Sequence, residues 1–289
     1  ANGQQKEARR VLTSLRGASS EEALASEFDE MANGIIQETP RDSVGGLIGC
    51  YHTYWKDLRV RRALLLGCGL QCLQQWCGIN TIMYYGASML DMAEPGKADS
   101  DCFNRNSKTN VAYTTLLAAS QLIGVFLSWI CVDRLGRRPL VLASLLSAAF
   151  WLAVLGFIFS AGDVSRPAVV ACVILYLFCF GVGLSPVPWT VNAEIYPLHS
   201  RASCISMSTS VNWLMNFVVS VTFLHLATSL STYPGHEAKG HPNGVFWVYS
   251  AISVVGFVLL WRLMPETKGL ALEHIGKLFT DPDDHQRLD

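Results

Sequence analysis

Residues 63–90 read ALLLGCGLQCLQQWCGINTIMYYGASML, 28 consecutive positions without a charge that nevertheless hold Gln71, Gln74, Gln75, Asn80 and Thr81. A helix needs about 20 predominantly apolar residues to cross a bilayer, so the stretch is long enough to span one. Its amides then sit where hydrocarbon offers them no partner, and each must bond another helix or line a wet cavity. At about 100° per residue the three glutamines share one face, whereas Asn80 lies about 140° round a straight helix from Gln75. An interruption near Gly78 returns Asn80 to the glutamines, because glycine frees the backbone and discontinuous helices occur where a membrane protein lines a cavity. Amides both donate and accept hydrogen bonds, as a polyol's hydroxyls do, and no fixed charge is present to demand an ionic ligand. The group therefore suits an uncharged, hydroxyl-rich solute; bonding between helices is the reading preferred for Gln71 alone.

Five more charge-free stretches follow, at 109–132, 139–162, 167–193, 202–236 and 240–261, so six spans are expected. The chain has 289 residues, 51% of them apolar and only 16% charged, against roughly 25% charged in a soluble domain. Of its 45 charges, 18 fall in residues 1–62 and 10 in residues 262–289, which leaves 17 for everything between. A soluble globular domain is excluded on that distribution. A net charge of −1 supplies no concentrated positive footprint for nucleic acid. Most of the nine cysteines lie in or beside apolar runs, where Cys behaves as a small hydrophobe, and neither a disulfide framework nor a metal site is expected. The chain carries no GxxxxGK[ST], HExxH or GxSxG and no nucleophile, base and metal constellation, so no catalysis and no cofactor are expected.

Lys and Arg gather on the cytoplasmic flanks of membrane helices. Lys56, Arg59, Arg61, Arg62, Arg134, Arg137, Arg138, Arg201, Arg262 and Lys268 fall on one side; Lys97, Arg105, Lys108, Arg166 and Lys239 fall on the other. Both termini are therefore expected in the cytoplasm. Ahead of the first span, Ala8, Val11, Leu12 and Leu15 recur at helical spacing before Gly17, and Ser19 with Glu22 spells a capping box opening a second helix striped by Leu24, Phe28, Met31 and Ile35. The division expected is a cytoplasmic helical linker region at 1–58, a six-helix transmembrane bundle at 59–264 and a cytoplasmic tail at 265–289. The start at Ala1 rather than Met suggests a piece of a longer chain.

The fourth span carries Gly181, Gly183 and then Pro186, Pro188 and Trp189. Two prolines remove ladder donors and are expected to bend or break that helix, as a gate would require. The Trp189 indole offers a sugar ring both an apolar face and an N–H. In the fifth span Asn212 and Asn216 lie four apart on one face. At the cytoplasmic span ends, Asp133 with Arg137 and Arg138, Glu194 paired with Arg201, and Glu266 form a charge latch that can hold one conformation and release in another.

Five ordered motifs resemble one family. Gln74-Gln75-x-x-Gly78-Ile79-Asn80 followed by Tyr84-Tyr85, Asp133-Arg-x-Gly-Arg137-Arg138, Pro186-x-Pro188-Trp189, Ala193-Glu194-Ile-Tyr-Pro197 with Arg201, and Pro265-Glu266-Thr-Lys-Gly269 are similar to the sugar porters of the major facilitator superfamily, most of all the proton/myo-inositol cotransporters, with glucose and fructose facilitators next. The resemblance implies an all-α membrane protein whose six transmembrane helices form the C-terminal half of a major facilitator fold, preceded by cytoplasmic helices. It further implies alternating-access transport of a neutral polyol, by proton-coupled myo-inositol symport or by facilitated diffusion of a hexose; a non-transporting half-length product is the other reading. Gln74, Gln75, Ile79, Asn80, Trp189 and Asn212 match the family's substrate contacts, Gln121 stands where many members carry Asn, and Gly181 stands where hexose carriers often carry Glu. Tyr84 and Tyr85 match the outer gate. The partners implied are a sugar or polyol, protons, the lipid bilayer, here expected to be the plasma membrane, and a companion N-terminal six-helix half.

Overall fold

The computed structural model describes residues 7, 10–14, 28–29, 57–92, 107–161, 165–197, 200–230, 243–270 and 279, with the side chains of 87–92 and 107–110 outside that set. Among these residues every regular element is a helix. In chain order they are α1 (Leu58–Trp76), α2 (Ile79–Met92), α3 (Ser107–Leu135), α4 (Arg137–Ser160), α5 (Arg166–Val182), α6 (Val187–Glu194), α7 (Arg201–Ser229) and α8 (Asn243–Leu263). α1 opens on Asp57, whose carboxylate accepts the Arg59 N–H at 2.9 Å and satisfies one of the donors that a helix start leaves unpaired. Residues 10–14 are helical with Leu12 half-buried, where the first linker helix is expected; the capping box and most of the second stripe lie outside the described residues.

Five of the expected spans are present as helices long and apolar enough to cross a membrane: Val111–Leu135, Arg137–Ser160, Arg166–Glu194, Arg201–Ser229 and Asn243–Leu263. The sixth stretch is divided into α1 and α2 by Cys77 and Gly78. Polarity is distributed inside out. Trp129 and Phe217 are 75% and 65% exposed on the outer surface, while Gln71 and Thr81 are wholly buried. Such a surface is stable only against lipid, and such an interior only if its polar atoms bond one another.

α4 packs along α8, α3 along α5, and α1 along α7, with α4 also against α5. The α3–α5 crossing depends on two glycines. A Cβ on Gly124 would stand 2.3 Å from the Phe178 carbonyl oxygen, and one on Gly181 would stand 2.5 Å from that of Gln121. Small residues let membrane helices approach to backbone contact where the hydrophobic effect cannot draw them together. Gly181 is therefore fixed by packing.

The expected break is present. α5 ends at Val182, Pro186 is the N-cap of α6, and Pro188 sits in its first turn. Without N–H groups, Pro186 and Pro188 cannot return helical hydrogen bonds to the Val182 and Leu184 carbonyls. The prolines thus begin the second segment, and the opening itself is Gly183-Leu184-Ser185.

Candidate functional site

The two interruptions satisfy each other's loose backbone. At the first, Gly78 has φ 84°, a left-handed conformation that costs other residues about 1–2 kcal/mol. A Cβ there would also come within 2.5 Å of the Tyr249 ring. The Cys77 carbonyl, freed by the break, accepts from the Tyr176 hydroxyl of α5 at 2.8 Å. At the second, the Leu184 and Ser185 carbonyls accept from Gln74 Nε2 of α1 at 2.8 and 3.1 Å. The Leu184 N–H donates to Ser144 Oγ of α4 at 3.1 Å, and that hydroxyl donates to the Cys179 carbonyl at 2.9 Å. Each helix carries the group that the other's break needs. Non-helical backbone at membrane depth persists only under such cover.

From this junction a file of amides runs outward. Asn212 of α7 donates through Nδ2 to Gln71 Oε1 at 2.7 Å and Gln74 Oε1 at 2.8 Å. Gln75 Nε2 donates to Asn212 Oδ1 at 3.0 Å, and Asn80 Nδ2 donates to Gln75 Oε1. The return of Asn80 to the glutamines across the Gly78 interruption is thus in place. Gln71, Gln74, Gln75 and Asn212 are buried, and Asn80 is half-buried at the open end. Gln71 Nε2 is buried without a partner among the described residues. Ile79 is buried beside the break.

Three sequence candidates keep polar groups that bond nothing among the described residues: the remaining N–H and Oδ1 of Asn80, the amide of half-buried Gln121, and the indole N–H of Trp189, which opens α6 and is 40% exposed. By contrast Gln74 and Asn212 spend their polar atoms inside the protein, so in this conformation they build the wall of the site rather than its free face. Tyr84 is exposed, whereas Tyr85 is held, its hydroxyl donating to the Ser220 carbonyl at 3.3 Å and its ring 4.7 Å from that of Phe223. The two tyrosines therefore differ: one lies at the surface and one is anchored to α7. Asn216 accepts from Ser220 Oγ at 3.3 Å within α7.

The basic end of the bundle is cross-linked, but not as the spacing suggests. Glu194 pairs with Arg137 Nη2 at 3.1 Å and accepts from Thr267 Oγ1 at 2.8 Å. Arg201, its expected partner, instead donates through Nε and Nη2 to the Tyr196 carbonyl at 3.2 and 3.1 Å. Local geometry explains the correction, because Arg201 at the start of α7 reaches back to the Tyr196 carbonyl just past α6, while Arg137 approaches Glu194 from α4. Asp133 meets Arg137 at 3.4 Å with its side chain 77% exposed, so it contributes at the margin. Glu266 accepts the N–H groups of Arg137, Arg138, Thr267 and Lys268 at 2.9, 3.0, 3.0 and 2.9 Å. It thereby serves as a remote cap for α4, placing a negative charge at the positive end of the helix dipole. Arg138 reaches the Trp261 carbonyl at the end of α8.

Sequence reasoning misses the joint that fixes α6 to α7. Asn192 Oδ1 accepts from Tyr196 at 2.8 Å and from Ser208 at 2.6 Å, all three buried. A signal for it was present, since Asn192 is an amide inside a charge-free run. Tyr176 gave none, because a tyrosine in an apolar run reads as core.

The family described as "Sugar (and other) transporter" matches residues 1–279. The chain belongs to that family. Its members are transporters rather than enzymes. Among its relatives are the human "Proton myo-inositol cotransporter", 29% identical over 96% of this chain and 52% of that protein, and the "Galactose-proton symporter" of Escherichia coli K12, 31% identical over 93% of this chain and 52% of that protein. The chain thus spans about half the length of the curated relatives it matches. Among solved structures it is similar to the proton:xylose symporter XylE bound to 6-bromo-6-deoxy-D-glucose, with TM-score 0.75 and 22% identity over 96% of this chain and 52% of that one. The family's fold is therefore the major facilitator fold, of which these helices form about half.

Proposed function

We propose that this chain is one half of an alternating-access carrier for a neutral polyol, with myo-inositol the first substrate, taken up together with protons, and a hexose the second. The observation that carries the reading is the outer end of the amide file. Asn80 at the end of that file, Gln121 on α3 and Trp189 on α6 keep unspent hydrogen-bonding groups with no charge among them, which suits hydroxyls and disfavours ions. Gln75 bonds Asn80 and aligns it, Ile79 gives apolar contact, and Gln74 and Asn212 hold the wall, becoming available to substrate only if the amide file opens. The human myo-inositol relative supports the first substrate, and the E. coli galactose relative is the specific support for the second.

In this reading residues 1–58 are a cytoplasmic linker region, 59–264 the bundle and 265–289 a cytoplasmic tail. The basic end faces the cytoplasm of a cell whose plasma membrane holds the carrier. Tyr84 swings as the outer gate against anchored Tyr85, the Gly183–Pro186 opening flexes, and the Arg137–Glu194–Glu266 cluster latches one state, with Arg138 bracing α8 and Asp133 and Arg201 as lesser members. A companion six-helix half supplies the opposite wall.

Uptake of radiolabelled myo-inositol, galactose and a charged control such as an amino acid, in cells expressing the full-length carrier, tests this. The expected result is saturable myo-inositol uptake that falls as external pH rises, with galactose weaker. Uptake of the charged control alone would contradict the uncharged site, and pH-independent inositol uptake would remove proton coupling.

A further inference from the structure

Away from the amide file, α1 and α8 part to leave a cavity of about 830 Å³ that opens at the basic end of the bundle. Its walls are almost wholly apolar, Leu65 and Leu73 from α1 facing Val255 and Leu259 from α8, and its mouth is set with Arg62 and Arg262. Leu65, Val255 and Leu259 are more than half exposed. A Cβ added at Gly69, on the floor, would meet nothing within 4 Å. Among the described residues no carboxylate lies within ion-pair distance of either arginine. Arg62 uses one nitrogen on the Phe279 carbonyl at 3.2 Å, which leaves the rest of its fork available.

We infer that this cavity binds one anionic glycerophospholipid, its phosphate between Arg62 and Arg262 and an acyl chain along the groove between α1 and α8. Length agrees with that occupant. From Arg262 to Ile252 the α8 wall runs about 15 Å at 1.5 Å per residue, half of a ~30 Å hydrocarbon core. Chemistry agrees as well. A guanidinium takes phosphate through two parallel N–H donors, and paired basic groups at the membrane edge of a helix groove are the arrangement that recognises acidic headgroups. A sugar is excluded, because the walls below the arginines offer it no hydrogen bonds. The site is independent of the proposed transport site and stands or falls apart from it. Since α8 is braced to α4 through Arg138 and the Trp261 carbonyl, next to Arg262, a lipid held there joins the first and last helices of the bundle to the charged cluster.

The test is native mass spectrometry of the 289-residue chain in detergent, titrated with phosphatidylglycerol and with phosphatidylcholine of the same acyl chains. The expected result is a one-to-one phosphatidylglycerol adduct held about tenfold or more tightly than phosphatidylcholine. Arg62→Gln and Arg262→Gln should each cost about fivefold of that preference. Gly69→Trp should abolish the adduct by filling the groove, and Val255→Trp fills it from the other wall should the first variant lose its helical circular dichroism. Equal binding of the two lipids, or adducts that survive both tryptophan variants, would overturn the inference. Glycerol phosphate competing as well as the lipid would also overturn it, reducing the site to a surface anion contact.

Discussion

Asn212 shows how one side chain can decide a membrane core. It satisfies Gln71, Gln74 and Gln75 together, so replacing it by Leu leaves three buried amides short of a partner at about 1–3 kcal/mol for each unsatisfied group. Gln71→Leu removes a group already short of one, since its Nε2 bonds nothing, and should cost under about 1 kcal/mol. Thermal unfolding of the purified chain in detergent should therefore show a large drop for Asn212→Leu and a small one for Gln71→Leu; comparable drops would show that the file is not a unit. Legibility at this scale follows the same chemistry. Glutamines in a charge-free run announce themselves because hydrocarbon makes them costly, so the amide cluster was legible in the sequence. Which of their atoms remain free was hidden, because that depends on Asn212 and Leu184, more than a hundred residues away.

The elements were legible because the signals for their interruptions are local, whereas the groups that cover those interruptions are not. Gly78 interrupts the first span because only glycine is at ease at φ 84° beside the Tyr249 ring. Pro186 and Pro188 mark the second break, since neither can return an N–H to the preceding turn. What the sequence did not show is how the opening at Gly183–Ser185 is covered, by Gln74 and Ser144 from two other helices. Two alanine substitutions check the first of these statements. Gly78→Ala should destabilise by about 1–2 kcal/mol from backbone strain alone, with the Tyr249 contact adding to it. Gly69→Ala, in a helix with open space around the new methyl, should be neutral or stabilising by about 0.5–1 kcal/mol. Melting midpoints that moved together would refute the assignment of strain to Gly78.

On the scale of the whole molecule the six charge-free stretches and the count of basic residues made the bundle readable, because length and composition alone decide what can sit in lipid. The pairing of its charges was not readable, since the E-x6-R spacing points Glu194 to Arg201 and only the approach of α4, 57 residues earlier in the chain, brings Arg137 there instead. Glu266→Gln keeps the shape but weakens its four N–H bonds, two of which reach α4, and should lower stability by about 1 kcal/mol, read as a lower melting midpoint. In the full-length form of the proposed carrier, Glu194→Gln should change maximal rate by about tenfold while the Michaelis constant for the substrate moves little, because a contact made in one state shifts the balance between states rather than the binding site. A change confined to the Michaelis constant would move Glu194 out of the latch. The reciprocal cover of the two breaks also sets an order of assembly. Cys77 and Tyr176 are 99 residues apart, about 5–20 s of synthesis at ribosomal rates. During that interval the Cys77 carbonyl lacks the Tyr176 hydroxyl, and the bond that ties the two breaks together forms only when the fourth span arrives. The joined breaks are thus a late product of biogenesis, made when two finished spans dock, and a ribosome stalled between them would leave a membrane protein with every early helix inserted and the proposed site unmade.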